Sequence, residues 1–274
     1  MFAREFESII VGVDFSPYSK IVYKQAKNLA KFWRTQLIVA HATQATGVYV
    51  PMFFFPIQPP PTDAEYKKRI KKFYQIKDDK VTIAIGHGSP ADLMIELCEK
   101  YRYAMIVSGY KGAGPIAEFF FGSTAQKLIH KSKVPVWIHR GNKIVIPKRV
   151  LIPHDLSSEA NQGIDLFKRL SLKQPTEYEV MFVREKPFPV LDYNLYKITE
   201  RQMLLREQNG IRYLFAKYPR IPFFTTSGSV TEKLVKRTKN FDLILITHHN
   251  EGQLFPKNET IGLLKKANTP LLVV

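Results

Sequence analysis

The stretch ESIIVGVDFSPYSKIVYKQAKNLAK (residues 7–31) has a counterpart in the second half of the chain, KRVLIPHDLSSEANQGIDLFKRLSL (148–172). Each begins with a short run rich in β-branched residues. An aspartate follows, Asp14 in one and Asp155 in the other, and then a large apolar residue, Ser and a helical pattern. Internal repetition of this kind indicates a duplicated domain.

The two halves also agree further along the chain. GSPADLMIELCEKYRYAMIVSG (88–109) parallels GSVTEKLVKRTKNFDLILIT (228–247), and both halves close on a Pro-led apolar run, KVPVWIH and NTPLLVV. We therefore expect two domains in the 274 residues, 1–142 and 143–274.

Short apolar runs alternate with helical patterns in each copy. In the first copy the runs are 8–13, 36–41, 80–85, 103–108 and 135–139. In the second they are 148–153, 178–184, 221–226, 241–247 and 270–274. They are apolar without strict alternation, which is typical of parallel strands buried on both faces. The pattern predicts an α/β fold: a doubly wound parallel five-stranded sheet in each copy, with right-handed crossovers.

Composition limits the class of protein. The hydrophobic fraction of 45% suffices for packed cores, and the single cysteine, Cys98, falls in a helical apolar stripe. With one cysteine and no apolar run of about 20 residues, we expect a soluble cytoplasmic protein without a membrane partner. The net charge of +17 divides into +9 for residues 1–141 and +8 for 142–274. This even division favours a solvated basic surface, so no nucleic-acid partner is expected.

Ligands of open parallel sheets gather at the carboxyl ends of strands, which singles out two loops. One is residues 12–16 after strand one; the other is GYKGAGPIAEFFFGST (109–124) after strand four. The second fits neither G-x-G-x-x-G nor G-x-x-x-x-G-K-[ST]. Its glycines, and a helix start at Gly-Ser-Thr, would suit a phosphate. The residues alone leave phosphate binding and a plain turn with a Ser/Thr cap equally open.

The spacing G-x2-G-x9-G-[ST] in this loop resembles the ATP-binding signature of the universal stress protein family. IIVGVDFS, LIVAHA and GSTAQKLIHKSKVPVWIH resemble the family as well. The resemblance implies a sheet of order 3-2-1-4-5 with strands one and four side by side. It also implies ATP as the ligand, with Mg²⁺ left open as its counter-ion.

The resemblance assigns roles by position. Residues 12–14 would face the adenine and ribose, Ala42 would contact the base, and the loop glycines and residues 122–125 would hold ribose and phosphates. The predicted site residues are Gly12, Val13, Asp14, Ala42, Gly109, Gly112, Gly122, Ser123, Thr124 and Ala125. A helix cap remains the other interpretation of Asp14. Lys111 would either reach a phosphate or be solvated.

The second copy departs from the motif. Thr247 and Asn250 replace Gly109 and Gly112, and Lys257-Asn258 replace Gly122-Ser123. We expect this copy to lack the phosphate cradle and to serve as a pairing partner for the first, with a homodimer left open. His154, His248 and His249 suggest a histidine metal site, but no Cys or Glu is spaced to complete it, and no metal site is expected.

Together these features predict an ATP-binding stress-response module whose nucleotide is a regulatory or structural ligand. The motif contains no general base, so at most slow incidental ATP hydrolysis is expected. The alternative is a nucleotide-independent scaffold that engages an anionic partner through its basic surface or the loop 43–61. A protein partner is expected, but the sequence does not identify it. An ATP-consuming enzyme of the adenine-nucleotide α-hydrolase group would require a loop of the type S-G-G-x-D-S after strand one. The sequence there is GVDFSPYS, which lacks this motif.

Overall fold

The structure is a computed structural model. It describes residues 6–43, 60–101, 103–111, 122–170, 176–185, 193–247, 262–263 and 265–274. The chain divides into two compact units, Met1–Ile144 and Val145–Val274. Most of the loop 43–61 lies outside the described residues, as do Gly112, His248 and His249.

The first unit alternates strands and helices. Its elements are β1 (Ser8–Gly12), α1 (Pro17–Trp33), β2 (Gln36–Thr43), α2 (Asp63–Tyr74), β3 (Thr82–His87), α3 (Pro90–Lys100), β4 (Ala104–Gly109), α4 (Ser123–Lys131) and β5 (Val136–His139). All strands pair in parallel, in the order β3-β2-β1-β4-β5. The predicted α/β class and the order 3-2-1-4-5 are confirmed.

This order positions the site. The chain moves outward from β1 through β2 to β3, then returns to β4 on the other side of β1. With right-handed crossovers, α1 and α2 cover one face of the sheet and α3 and α4 the other. The carboxyl ends of β1 and β4 therefore meet where the strand order reverses, which is where ligands of such sheets bind.

Burial follows the position of each strand. In the central strand β1, Ile9, Ile10 and Val11 are fully buried. The edge strand β3 is only half-buried along most of its length, because one side of it has no neighbouring strand. The sequence pattern predicts burial on both faces, and β3 departs from it.

Local signals set the helix ends. Ser16 caps α1 by accepting the Ser19 N–H, and Pro17 occupies the first turn, where its missing N–H costs nothing. A capping box between Thr62 and Glu65 starts α2, with hydrogen bonds in both directions. These caps fix the ends of the loops that follow β1 and β2.

The second unit repeats the alternation. Its elements are β6 (Arg149–Pro153), α5 (Asn161–Leu170), β7 (Glu177–Arg184), α6 (Tyr193–Lys217), β8 (Phe223–Ser227), α7 (Val230–Thr238), β9 (Leu243–Ile246) and β10 (Leu271–Val273). The strand pairings give a parallel order β8-β7-β6-β9-β10, the same as in the first unit. Helix α6 has 25 residues against 12 for α2.

None of the helices in the described part of the chain has the length and apolar composition that crossing a membrane requires.

Candidate functional site

The loop after β1 is held by its own side chains and by α2. Asp14 Oδ1 accepts a hydrogen bond from the Ser16 N–H at 3.0 Å, and Phe15 between them has a left-handed backbone with φ of 61°. The Phe15 N–H donates to the Tyr74 hydroxyl at 3.0 Å, and that hydroxyl lies 2.6 Å from Ser19 Oγ. A positive φ is unfavourable for phenylalanine, so these bonds stabilise the loop. Asp14 therefore has a role in the turn, which occupies one of its two carboxylate oxygens.

His41 at the end of β2 supports the same loop. Its Nδ1 lies 2.9 Å from the carbonyl oxygen of Val13. Since a carbonyl only accepts, Nδ1 carries the proton and donates. The ring is buried and packs edge-on against Phe15, with centroids 4.8 Å apart. His41 is thus a support for the loop, and its Nδ1 is committed to that bond.

The loop after β4 is closed at its base by backbone hydrogen bonds. The Tyr110 N–H donates to the carbonyl of His139, and the Tyr110 carbonyl accepts the Gly122 N–H at 2.8 Å. This second bond joins the end of β4 to the start of α4, across the undescribed residues 112–121. The N-terminus of α4 is thereby fixed beside the carboxyl end of β4.

Helix α4 begins without a side-chain cap. Gly122 is its N-cap, with φ −63° and ψ 135°, and within the described residues no side-chain hydrogen bond caps the helix. Ser123 and Thr124 are the first helical residues, so neither of them is the predicted Ser/Thr cap. The first N–H groups of a helix have no intrahelical acceptor. At α4 they are available to an acceptor from outside, and the helix dipole favours an anion there.

These loops surround one cavity of about 170 Å³ at the switch point. Nine of the ten predicted site residues line it: Gly12, Val13, Asp14, Ala42, Gly109, Gly122, Ser123, Thr124 and Ala125. The tenth, Gly112, lies outside the described residues. Seven further residues complete the wall, and of these the sequence singled out Lys111 alone. They are Tyr18, Ser19, Val22, Pro90, Met94, Ser108 and Lys111.

Two of the glycines are explained by packing. A Cβ on Gly12 would lie 2.9 Å from both Sδ and Cε of Met94, and one on Gly109 would lie 2.9 Å from Cε1 of Tyr18 and 3.2 Å from Val22. Gly12 admits α3 to one face of the sheet, and Gly109 admits α1 to the other. Their presence is therefore no evidence for a ligand by itself. The backbone of Gly122, with φ −63° and ψ 135°, is likewise one that any residue can adopt.

Among the described residues that line the cavity, Lys111 carries the positive charge. Lys111 Nζ lies 5.4 Å from the centre of the Tyr18 ring and 5.7 Å from that of Tyr110, within range of a cation–π interaction. Burial raises the pKa of Tyr18, and its protonated hydroxyl donates to the His139 carbonyl at 2.8 Å. The two rings flank the ammonium group, and Lys111 lines the same cavity as the first turn of α4.

The second unit reverses the packing of Gly109 against Val22 in α1. Thr247 aligns with Gly109, and Gly163 aligns with Val22. A Cβ on Gly163 would lie 2.5 Å from Thr247 Oγ1, whose hydroxyl donates to the buried carbonyl of Ala160 at 3.3 Å. The larger side chain thus comes from the strand in the second unit and from the helix in the first. Thr247 fills space that the first unit leaves to Val22.

The loop after β6 keeps the turn of the first unit. Asp155 Oδ1 accepts the Ser157 N–H at 2.9 Å, and Leu156 has a φ of 68°. His154 is buried, and its Nδ1 accepts the Leu156 N–H at 2.9 Å. The aspartate that survives in both units therefore makes the same turn in both. Among the described residues, no three His, Cys, Asp or Glu side chains are grouped to hold a metal ion.

Comparison with known proteins agrees with this fold. Residues 5–140 match the model of the universal stress protein family. A universal stress protein of Thermus aquaticus, from the QAH/OAS sulfhydrylase 3′ region, is 23% identical over 143 residues, 49% of this chain and 99% of that protein. The crystal structure of a universal stress protein from Archaeoglobus fulgidus covers 97% of this chain and 95% of its own, with 17% identity and a TM-score of 0.64. That likeness shows a shared fold.

A further solved structure is a universal stress protein in complex with cAMP, 22% identical over 48% of this chain and 95% of its own, with a TM-score of 0.34. The strand order and the cavity make the first unit a parallel α/β domain with a cavity at its switch point. Through residues 5–140, the chain belongs to the universal stress protein family.

Proposed function

We propose that the first unit binds an adenine nucleotide as a regulatory or structural ligand, and that this nucleotide is ATP. The observation that carries the proposal is the uncapped N-terminus of α4, which lines the cavity beside Lys111. Free N–H groups, a helix dipole and an ammonium group all favour a phosphate. The phosphates would bind at residues 122–125, and the base would lie toward Ala42.

Gly122 strengthens the proposal because its geometry does not need glycine. At an N-cap, Ser, Asp and Asn bond the first-turn amides, and glycine is a weaker cap by a few tenths of a kcal/mol. A side chain that bonded those amides would compete with a phosphate for them. Glycine at this position leaves the donors to the ligand.

The enclosed cavity is large enough for only part of an adenine nucleotide. About 170 Å³ is below the roughly 300–1,000 Å³ of small-molecule sites, so the enclosed part would hold one end of a nucleotide and the rest would extend outward. The second oxygen of Asp14 suits a ribose hydroxyl. Mg²⁺ would be held chiefly by the phosphates, as is usual for this ion, with Asp14 the one carboxylate in the described lining.

Binding without turnover is the chemistry we propose. Among the described residues, the candidate bases Asp14 and His41 each make a structural hydrogen bond, since Asp14 Oδ1 closes the turn after β1 and His41 Nδ1 bonds the Val13 carbonyl. The nucleotide would then act by stabilising the loops it contacts. A ligand at 100 times its Kd stabilises a protein by about 2.7 kcal/mol, or roughly 5–10 °C in melting temperature for a unit of this size.

Thermal unfolding of the full chain tests the proposal. We expect ATP to raise the melting temperature and the double substitution Gly122→Lys with Ser123→Asn, which imitates the second copy, to abolish the shift without unfolding the chain. Gly262→Lys is the control, since a Cβ there meets nothing closer than 3.6 Å. Adenosine and cAMP serve as competitors. An ATP shift that survives the double substitution would overturn the assigned site.

We also propose that the second unit is the degenerate copy. Thr247 supports this, because its side chain occupies the place of Gly109; Asn250 and Lys257-Asn258 lie outside the described residues. The pairing of the two copies, a homodimer and a cytoplasmic location remain predictions. If the chain neither co-purifies with an adenine nucleotide nor shifts with ATP, the nucleotide-independent scaffold replaces this proposal.

A further inference from the structure

Helix α1 carries a row of lysines. Lys20, Lys24, Lys27 and Lys31 follow at intervals of four, three and four residues, all exposed, and residues 17–33 include no Asp or Glu. These intervals place the four ammonium groups on one face. Like charges at such spacings destabilise a helix, and a face that serves solubility would mix both signs. Helix formation therefore does not explain the row.

Helix α2 extends the same surface. Its two acids, Asp63 and Glu65, lie in the first turn, and Glu65 completes the capping box. The remaining charges are cationic and exposed: Lys67, Lys68, Arg69, Lys71 and Lys72. The helices adjoin, since Lys20 Nζ lies 4.0 Å from the centre of the Phe73 ring. We call the exposed cations of α1 and α2 the lysine face.

The charge of the first unit is concentrated on this face. Helices α1 and α2 carry 9 Lys and Arg and 2 acids, net +7, of the +10 that residues 1–144 carry with 21 and 11. Helices α3 and α4, on the opposite face, carry 3 of each sign and cancel. Within the described residues, one ion pair involves a cation of the lysine face, between Lys71 and Asp79, both well exposed. The net charges of the two halves of the chain do not show this difference between the two faces of the first unit.

We propose that the lysine face binds the phosphodiester backbone of nucleic acid without reading its sequence. The row on α1 spans about 16 Å at 1.5 Å per residue. Eight of the nine cations are lysines, which contact phosphates as point charges and lack the forked geometry that arginine uses on bases. No exposed large apolar residue in the described part of the chain lies on α1 or α2. An apolar anchor for a lipid surface is therefore missing there, whereas phosphate contacts alone suffice for non-specific nucleic-acid binding.

The test measures fluorescence anisotropy of a labelled 30-base-pair DNA duplex with the full chain, from 50 to 200 mM salt. One variant replaces Lys20, Lys24, Lys27 and Lys31 with Gln. The matched control replaces four exposed lysines elsewhere, Lys133, Lys143, Lys236 and Lys239, and so removes the same charge. We expect the first variant to bind at least tenfold more weakly at 100 mM salt. Its salt slope should be shallower by about 0.9 for each phosphate that the variant no longer neutralises.

The control variant, and the variant with Gly122→Lys and Ser123→Asn, should bind the duplex as the unaltered chain does, which separates this surface from the nucleotide site. Sedimentation with phosphatidylserine vesicles provides the second arm. Absence of duplex binding at 50 mM salt, equal losses in the two four-lysine variants, or binding to vesicles alone would overturn the proposal.

Discussion

The reversed packing of Gly163 and Thr247 makes a quantitative prediction. Replacing Gly163 by Val would place a Cβ 2.5 Å from Thr247 Oγ1 and 2.8 Å from Leu245 Cδ2. Contacts this short force neighbours to move, and overpacking of a core costs about 1–3 kcal/mol. Thr247→Gly alone should cost a similar amount: it removes a buried side chain and its hydrogen bond to the Ala160 carbonyl, worth about 1 kcal/mol, and adds backbone freedom.

Combined, Gly163→Val and Thr247→Gly recreate the pair that the first unit has as Val22 and Gly109. We expect the double variant to recover at least about 1 kcal/mol relative to the sum of the two single losses.

Urea denaturation followed by far-UV circular dichroism gives the four free energies of unfolding. Both tryptophans, Trp33 and Trp137, lie in the first unit, so tryptophan fluorescence follows that unit in the same samples. Losses that add within about 0.5 kcal/mol would refute the reversed packing, and with it the claim that Thr247 fills the place of Gly109.

Three further predictions concern the first unit. Tyr74→Phe removes the hydroxyl that accepts the Phe15 N–H, so we expect a loss of about 1–2 kcal/mol and weaker ATP binding; unchanged thermal unfolding and affinity would contradict this. Burial lowers the pKa of His139 to about 4. As the pH falls, the unfolded chain therefore binds a proton at this histidine before the folded chain does. The free energy of unfolding should decrease between about pH 6.5 and pH 4 by up to about 3 kcal/mol. His139→Phe should flatten that decline in urea denaturation at pH 7 and pH 5, and an unchanged decline would assign it to other groups. Lys111→Met should weaken ATP binding in calorimetry by about tenfold and leave adenosine unaffected; equal losses for both ligands would place Lys111 away from the phosphates.

The fold could be predicted from sequence because its signals are local and repeated. The run that forms β1, the Ser16-Pro17 helix start and the matching run at 148–153 each indicate an element, and their repetition fixes the class. The sequence pattern overestimates burial of the edge strand β3, because it does not tell which strand lies at an edge.

The candidate site was predictable only where the motif names residues. Tyr18 and Met94 look like ordinary apolar positions of α1 and α3, and only the fold brings them against Gly109 and Gly12. These contacts change the meaning of both glycines, since packing alone accounts for them. For Gly122, the backbone conformation does not explain the glycine, because any residue could adopt it.

The lysine face could not be predicted from the sequence for a related reason. Its lysines are regularly spaced in α1, but the balance of charge between faces depends on which helices adjoin. Totals for the two halves of the chain, +9 and +8, carry no such information.

The stoichiometry of ATP binding to the nucleotide-free full chain tests the central claim most directly. Isothermal titration calorimetry should give about one saturable site per chain, and none after Gly122→Lys with Ser123→Asn. Two sites per chain would contradict the degenerate second copy, and no saturable binding by the unaltered chain would contradict the nucleotide site itself.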